Sequence, residues 1–171
     1  MKNVSILVAI IFIISISYLS HVGVLHAKAE ELKTGQSDNQ LNAQTFDIQQ
    51  YRGKIVYLDF WASWCVPCRK SFPWMNKIQS QYSHEDFVLI TINLDKKREL
   101  AEEFLKLYPA NFKVFYDPKG DIARKYQIKG MPSSIIFNRK GKPVAAHKGF
   151  FSKSIAQYEM EIQKFVNSSE L

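Results

Sequence analysis

The chain has 171 residues, 46% hydrophobic and 13% aromatic, with only seven Gly and six Pro, which supplies the core of one domain and excludes disorder, fibrous repeats and a multidomain machine. Its two cysteines, Cys65 and Cys68, can neither staple a disulfide-rich scaffold nor complete a four-thiolate zinc site. The net charge of +7 is scattered over groups such as Arg69-Lys70, Lys96-Lys97-Arg98 and Arg139-Lys140, with no groove-reading motif, so no nucleic-acid partner is expected.

Residues 1–29 read as an export signal: Met1-Lys2, an apolar run from Val4 to Leu19, then polar residues ending in Ala27-Lys28-Ala29. The run is shorter than the roughly 20 residues that span a bilayer comfortably, which favours cleavage after Ala29 over an uncleaved anchor. Either outcome places the domain outside the cytoplasm, periplasmic or otherwise extracytoplasmic. Residues 30–43 lack apolar periodicity and read as a flexible lead-in, with the folded domain over residues 44–171.

Ile55–Trp61 is apolar on both faces except at Asp59, as expected of a central strand covered by helices. A helix should follow Trp64, with Cys68, Phe72, Met75, Ile78 and Tyr82 on one face and a kink at Pro73. Phe87–Leu94 reads as a second strand, and Asp95 as the cap of a helix running to Leu107. Val114–Tyr116 is a short strand, Asp117–Gly120 a turn, and Ile122, Ala123 and Tyr126 the face of a short helix stopped by Gly130-Met131-Pro132. Ser134–Phe137 and Val144–His147 form a hairpin across Asn138–Lys142, and a last helix begins at Ser152. Strands alternating with helices imply an α/β domain with a mixed sheet of about five strands and helices on both faces.

An exported Cys-x-x-Cys pair lies in an oxidising compartment, where so close a spacing points to redox chemistry. No third cysteine exists and no nearby histidine completes a cluster, so no metal and no cofactor is expected; His84 and His147 stand isolated and receive no chemical role. At a strand-to-helix junction Cys65 meets the free N–H groups of the helix, which favour its thiolate, and Cys68 faces the same way three residues on. Cys65 is therefore expected to be the exposed nucleophile and Cys68 the buried resolver. Asp59 reads equally well as a buried acid and as a structural carboxylate paired with a lysine such as Lys54.

The run Leu58-Asp59-Phe60-Trp61-Ala62-Ser63-Trp64-Cys65-Val66-Pro67-Cys68-Arg69, with Pro73, Gly130-Met131-Pro132 and Gly149, resembles the thioredoxin signature over roughly Gln44 to Val166. With the export signal, Asn93-Leu94-Asp95 and Phe115-Tyr116-Asp117-Pro118, it resembles the TlpA/ResA-like disulfide reductases. That resemblance implies a thioredoxin fold and a thiol-disulfide oxidoreductase that reduces exported proteins and takes electrons from a membrane-embedded donor; a monomer is expected. It implies a proton-accepting role for Asp59, a cis peptide bond at Met131–Pro132, and substrate contact at Trp64, Met131 and Pro132; Trp61, Phe72 and Trp74 are read as core packing. Several relatives carry a glutamate three residues past the second cysteine, where this chain has Ser71. The alternatives are a net disulfide oxidant, a peroxidase, and a dithiol module handling Cu(I), for which Met131 is the only extra soft ligand in view. The peroxidase reading lacks the threonine of a Thr-x-x-Cys context, since Ala62 stands there.

Overall fold

The computed structural model describes residues 40–42 and 46–168; the expected signal peptide and most of the lead-in lie outside the described residues. In chain order the elements are β1 (Gln40–Asn42), a 3-10 turn (Ile48–Tyr51), β2 (Ile55–Trp61), α1 (Val66–Gln81), β3 (Phe87–Asn93), α2 (Arg98–Leu107), β4 (Lys113–Tyr116), α3 (Asp121–Lys125), β5 (Ser133–Phe137), β6 (Pro143–Lys148), a second 3-10 turn (Ser152–Ser154) and α4 (Ile155–Asn167). They build a mixed sheet in the order β1-β4-β3-β2-β5-β6. The β1–β4, β4–β3 and β3–β2 pairs are parallel, while β2–β5 and β5–β6 are antiparallel.

β2 is central and buried along its whole length, as its apolar run, interrupted only by Asp59, requires. Its alternating side chains feed two cores. Ile55, Tyr57 and Trp61 pack with Phe72, Met75 and Ile78 of α1, Phe104 of α2, and Tyr158 and Ile162 of α4. Val56, Leu58 and Phe60 pack with Ile48 and Tyr51 of the first 3-10 turn and with Ile122 and Ala123 of α3. Helical elements therefore cover both faces, as expected for this class.

Two local readings change. Gln40–Asn42, placed by the sequence in the flexible lead-in, pairs with β4 in the register Gln40↔Val114 to Asn42↔Tyr116. Its backbone completes an exposed sheet edge, and such pairing needs no side-chain alternation to announce it. α2 begins at Arg98 with Lys97 at its N-cap, so Asp95 does not cap it. Pro73 lies inside α1 without ending the helix.

Candidate active site

β2 ends at Trp61, and the chain passes through Ala62-Ser63-Trp64 to Cys65, the N-cap of α1. The turn closes with the Cys65 amide donating to the Ala62 carbonyl at 3.0 Å and the Cys68 amide donating to the Cys65 carbonyl at 3.1 Å. A helix starting here leaves its first N–H groups unpaired at the end that carries Cys65, where the helix dipole favours negative charge; in the disulfide form the Cys65 side chain makes no capping hydrogen bond to them. Val66 and Pro67 occupy the first two helical positions, and Pro67 removes one of those donors. Cys65 and Cys68 are joined by a disulfide with an S–S distance of 2.07 Å. In this oxidised form Cys65 is only 4% exposed and Cys68 wholly buried. Both sulfurs are thus buried while the disulfide is closed.

The loop ahead of Cys65 is held by a residue the sequence assigned elsewhere. Asp95 is buried, and its carboxylate accepts the Ser63 amide at 2.9 Å, the Ser63 hydroxyl at 2.9 Å and the Asn93 side-chain amide at 2.7 Å. β3 lies beside β2, so its C-terminal residues arrive beside the active-site loop. Asp95→Ala would strand the part-buried donors of Ser63 and the buried side-chain amide of Asn93, and should lower stability by about 1–3 kcal/mol in urea unfolding. A change below about 0.5 kcal/mol, the size of an ordinary surface substitution, would mean the clamp is dispensable.

The Met131–Pro132 peptide bond is cis, as the resemblance implies. Its loop is pinned by the Ser133 hydroxyl donating to the Gly130 carbonyl at 2.7 Å and by the Gly149 amide donating to the Pro132 carbonyl at 2.8 Å. Gly149 has φ +79°, and a Cβ there would meet the Phe151 ring at 3.1 Å, so only glycine closes this contact without strain. Met131 packs at the margins of both cores, and beside it runs a cleft of about 350 Å³ whose walls include Ile128, Gly130, Met131 and Pro132. Trp64, next to Cys65, is exposed, and so are Val66 and Phe151. Phe151 lies with Val66 and Pro67 along a second cleft, an apolar shoulder the sequence did not single out because Phe151 is remote from the dithiol in the chain. Trp61 and Phe72 are wholly buried and Trp74 nearly so, as core packing requires.

Asp59 sits in β2 between Tyr57 and Trp61, on the sheet face covered by α1. It is 3% exposed and its Oδ2 has no hydrogen-bond partner. Lys54 does not pair with it: the Lys54 ammonium donates to the His84 carbonyl at 2.6 Å and meets Glu85 at 3.5 Å. Burial disfavours the carboxylate and holds the Asp59 pKa well above the ordinary range. Tyr57 is likewise raised well above the usual phenol value, first by burial and then by the neighbouring Asp59, with the Ser134 hydroxyl working the other way. Ser71, three residues past Cys68, is buried, and its hydroxyl donates to the Cys68 carbonyl at 3.0 Å. His147 is not isolated: it meets Ser134 and Glu161, partners that chain distance concealed. Among the described residues no three His, Cys, Asp or Glu side chains converge to hold a metal ion.

The Redoxin family matches residues 27–162. The thiol-disulfide oxidoreductase ResA of Bacillus cereus (strain ATCC 10987 / NRS 248) is 28% identical over 128 residues, covering 72% of this chain and 74% of its own. ResA of Bacillus subtilis (strain 168) is 27% identical over 123 residues, covering 72% and 69%. Among solved structures, a protein assigned as the thiol:disulfide interchange protein DsbE of Chlorobium tepidum superposes with a TM-score of 0.67 at 45% identity, over 69% of this chain and 84% of that one. With its Cys65–Cys68 disulfide at the head of α1, the chain belongs to the Redoxin family and is a TlpA/ResA-like thiol-disulfide oxidoreductase of the thioredoxin superfamily.

Proposed function

We propose that the protein reduces disulfides of exported proteins, that residues 1–29 direct it across or anchor it to the membrane, and that it works as a monomer recharged by a membrane-embedded dithiol donor. The observation that carries this reading is the Cys65–Cys68 pair at the start of α1, with the unpartnered carboxyl of Asp59 buried on the sheet face that α1 covers. The Cys65 thiolate attacks one sulfur of a substrate disulfide, forming a mixed disulfide and releasing the other sulfur as a thiolate. Cys68 then attacks Cys65 Sγ, the Cys68 thiol proton passes to the Asp59 carboxylate, and the second substrate sulfur leaves as a thiolate. The protein is left with the disulfide seen here, to be reduced in turn by two electrons from the donor. Trp64 and the Met131–Pro132 loop flank the incoming chain, the loop offering its backbone to an extended strand.

The reducing direction follows from the first turn of α1. A strong oxidant needs a heavily stabilised thiolate in its reduced form, whereas Val66 is apolar and Pro67 has no N–H to offer. Cys68→Ser leaves the mixed disulfide unresolved, so the full chain carrying it, expressed in an exporting cell, should accumulate covalent adducts with exported disulfide proteins on Cys65. If adducts are absent, or persist when Cys65 is replaced as well, the reading fails.

A further inference from the structure

A carboxyl that takes the Cys68 proton has to exchange it with solvent, and Asp59 Oδ2 is sealed from water and unpartnered. One row of side chains crosses the sheet from that carboxyl to the surface. Asp59 of β2 stands directly opposite Ser134 of β5, and Ser134 directly opposite His147 of β6. Residues paired in this way share a sheet face, with Cβ atoms about 4.5–5.5 Å apart; Asp59 Oδ2 has no partner in this structure, so the first transfer needs the carboxyl to turn towards the Ser134 hydroxyl. Beyond Ser134 the row is hydrogen-bonded: Ser134 Oγ lies 3.3 Å from His147 Nδ1, and His147 Nε2 lies 2.8 Å from Glu161 Oε2 of α4. Exposure rises along the row, from 3% at Asp59 and 4% at Ser134 to 14% and 30% for the side chains of His147 and Glu161.

We infer that Ser134, His147 and Glu161 form the route by which Asp59 exchanges its proton with solvent. The inference rests on the proposed proton-accepting role of Asp59 for its place in the reaction, although the route itself can be measured without the thiols. The Glu161 carboxylate takes the Nε2–H of His147, which leaves Nδ1 as an acceptor facing the Ser134 hydroxyl. In the outward step Asp59 gives its proton to Ser134 Oγ while Ser134 passes its own to His147 Nδ1. The resulting imidazolium releases the Nε2 proton towards Glu161 and bulk water, and Asp59 is left as the carboxylate. His147 is then in its Nδ1–H tautomer, and exchange with water at the partly exposed ring restores the starting one. The groups facing this row are Tyr57 of β2 itself, whose hydroxyl shares a hydrogen bond with Ser134, Thr91 of the neighbouring β3, and Tyr158 from α4, whose ring lies 4.9 Å from that of His147. Ser134, His147 and Glu161 act through Asp59 and do not touch the reacting sulfurs.

The test uses the full chain in its disulfide form, a rapid pH step, and the infrared carbonyl band of the protonated Asp59 carboxyl, assigned by its loss in Asp59→Asn. Ser134→Ala and His147→Gln should each slow emptying of the carboxyl by on the order of tenfold, a modest part of what positioned acid–base groups supply. Ser134→Thr, which keeps the hydroxyl on a strand-compatible residue, should restore the rate. Equal rates in the wild type and in both breaking variants would overturn the route, as would equal slowing by Ser134→Ala and Ser134→Thr, or a carboxyl band that does not respond to pH. Turnover of Asp59→Asn is measured separately: a slow Asp59→Asn beside an unaffected emptying rate defeats the relay alone, and full turnover of Asp59→Asn defeats the role of Asp59 itself.

Discussion

Asp59→Asn should slow the resolving step by roughly 10²-fold at neutral pH, within the range of about 10²–10⁴ that positioned proton transfer contributes, while making the fold more stable. The amide keeps the shape of the side chain but cannot take the Cys68 proton. As pH rises past the ordinary thiol value of about 8.5, Cys68 ionises unaided and the deficit should narrow. The stability half follows from burial. The folded pKa of Asp59 stands above the unfolded one, so over the interval between them the native state holds a proton that the unfolded state has released. The contribution of Asp59 to stability is therefore fully present below the unfolded carboxylate value of about 4 and is lost as pH rises through the folded value. The amide has no proton to lose, so the stability of Asp59→Asn relative to the wild type should rise from acid to alkaline solution. Stopped-flow exchange and urea unfolding from about pH 6 to about pH 9, either side of the thiol range, measure both halves. Unchanged turnover with reduced stability would make Asp59 a structural carboxylate.

Phe72→Ala should cost about 3–5 kcal/mol, a large share of the roughly 5–15 kcal/mol that holds a typical domain folded. Phe72 is wholly buried, with ring centroids 4.9 Å from Trp61, 4.9 Å from Phe104 and 5.4 Å from Phe112. It stands one helical turn after Cys68, so this aromatic cluster fastens the start of α1 to β2 and α2. Truncation removes the transfer free energy of a ring and leaves a cavity between three aromatic neighbours that cannot collapse without moving a helix. Phe72→Leu, which retains most of the volume, should cost less than half as much. Urea denaturation of the disulfide form checks both, and a loss near 1 kcal/mol for Phe72→Ala would show that the cluster repacks.

What could be read along the chain is what neighbouring residues settle among themselves. The apolar run of β2, the Cys65–Cys68 spacing at a strand-to-helix junction and the helical face through Phe72, Met75 and Ile78 are each specified within one or two turns of chain, and the structure has all three. Asp59 was conspicuous for the same reason, as a lone carboxylate in an apolar strand, but its freedom from Lys54 depended on where β2 and the His84–Glu85 turn came to lie. The rest required strands remote in sequence to be brought side by side. Asp95 looks like a helix cap until β3 delivers it to Ser63, and Gln40–Asn42 looks like linker until β4 presents an open edge. His147 looks isolated until the β2–β5–β6 register and the packing of α4 set it between Ser134 and Glu161. By itself the sequence determined the dithiol, its helix and the buried acid, because local periodicity and spacing suffice for those. Only the tertiary structure decided what the buried polar groups pair with, because a hydrogen bond needs partners within about 3 Å and sequence distance says nothing of that.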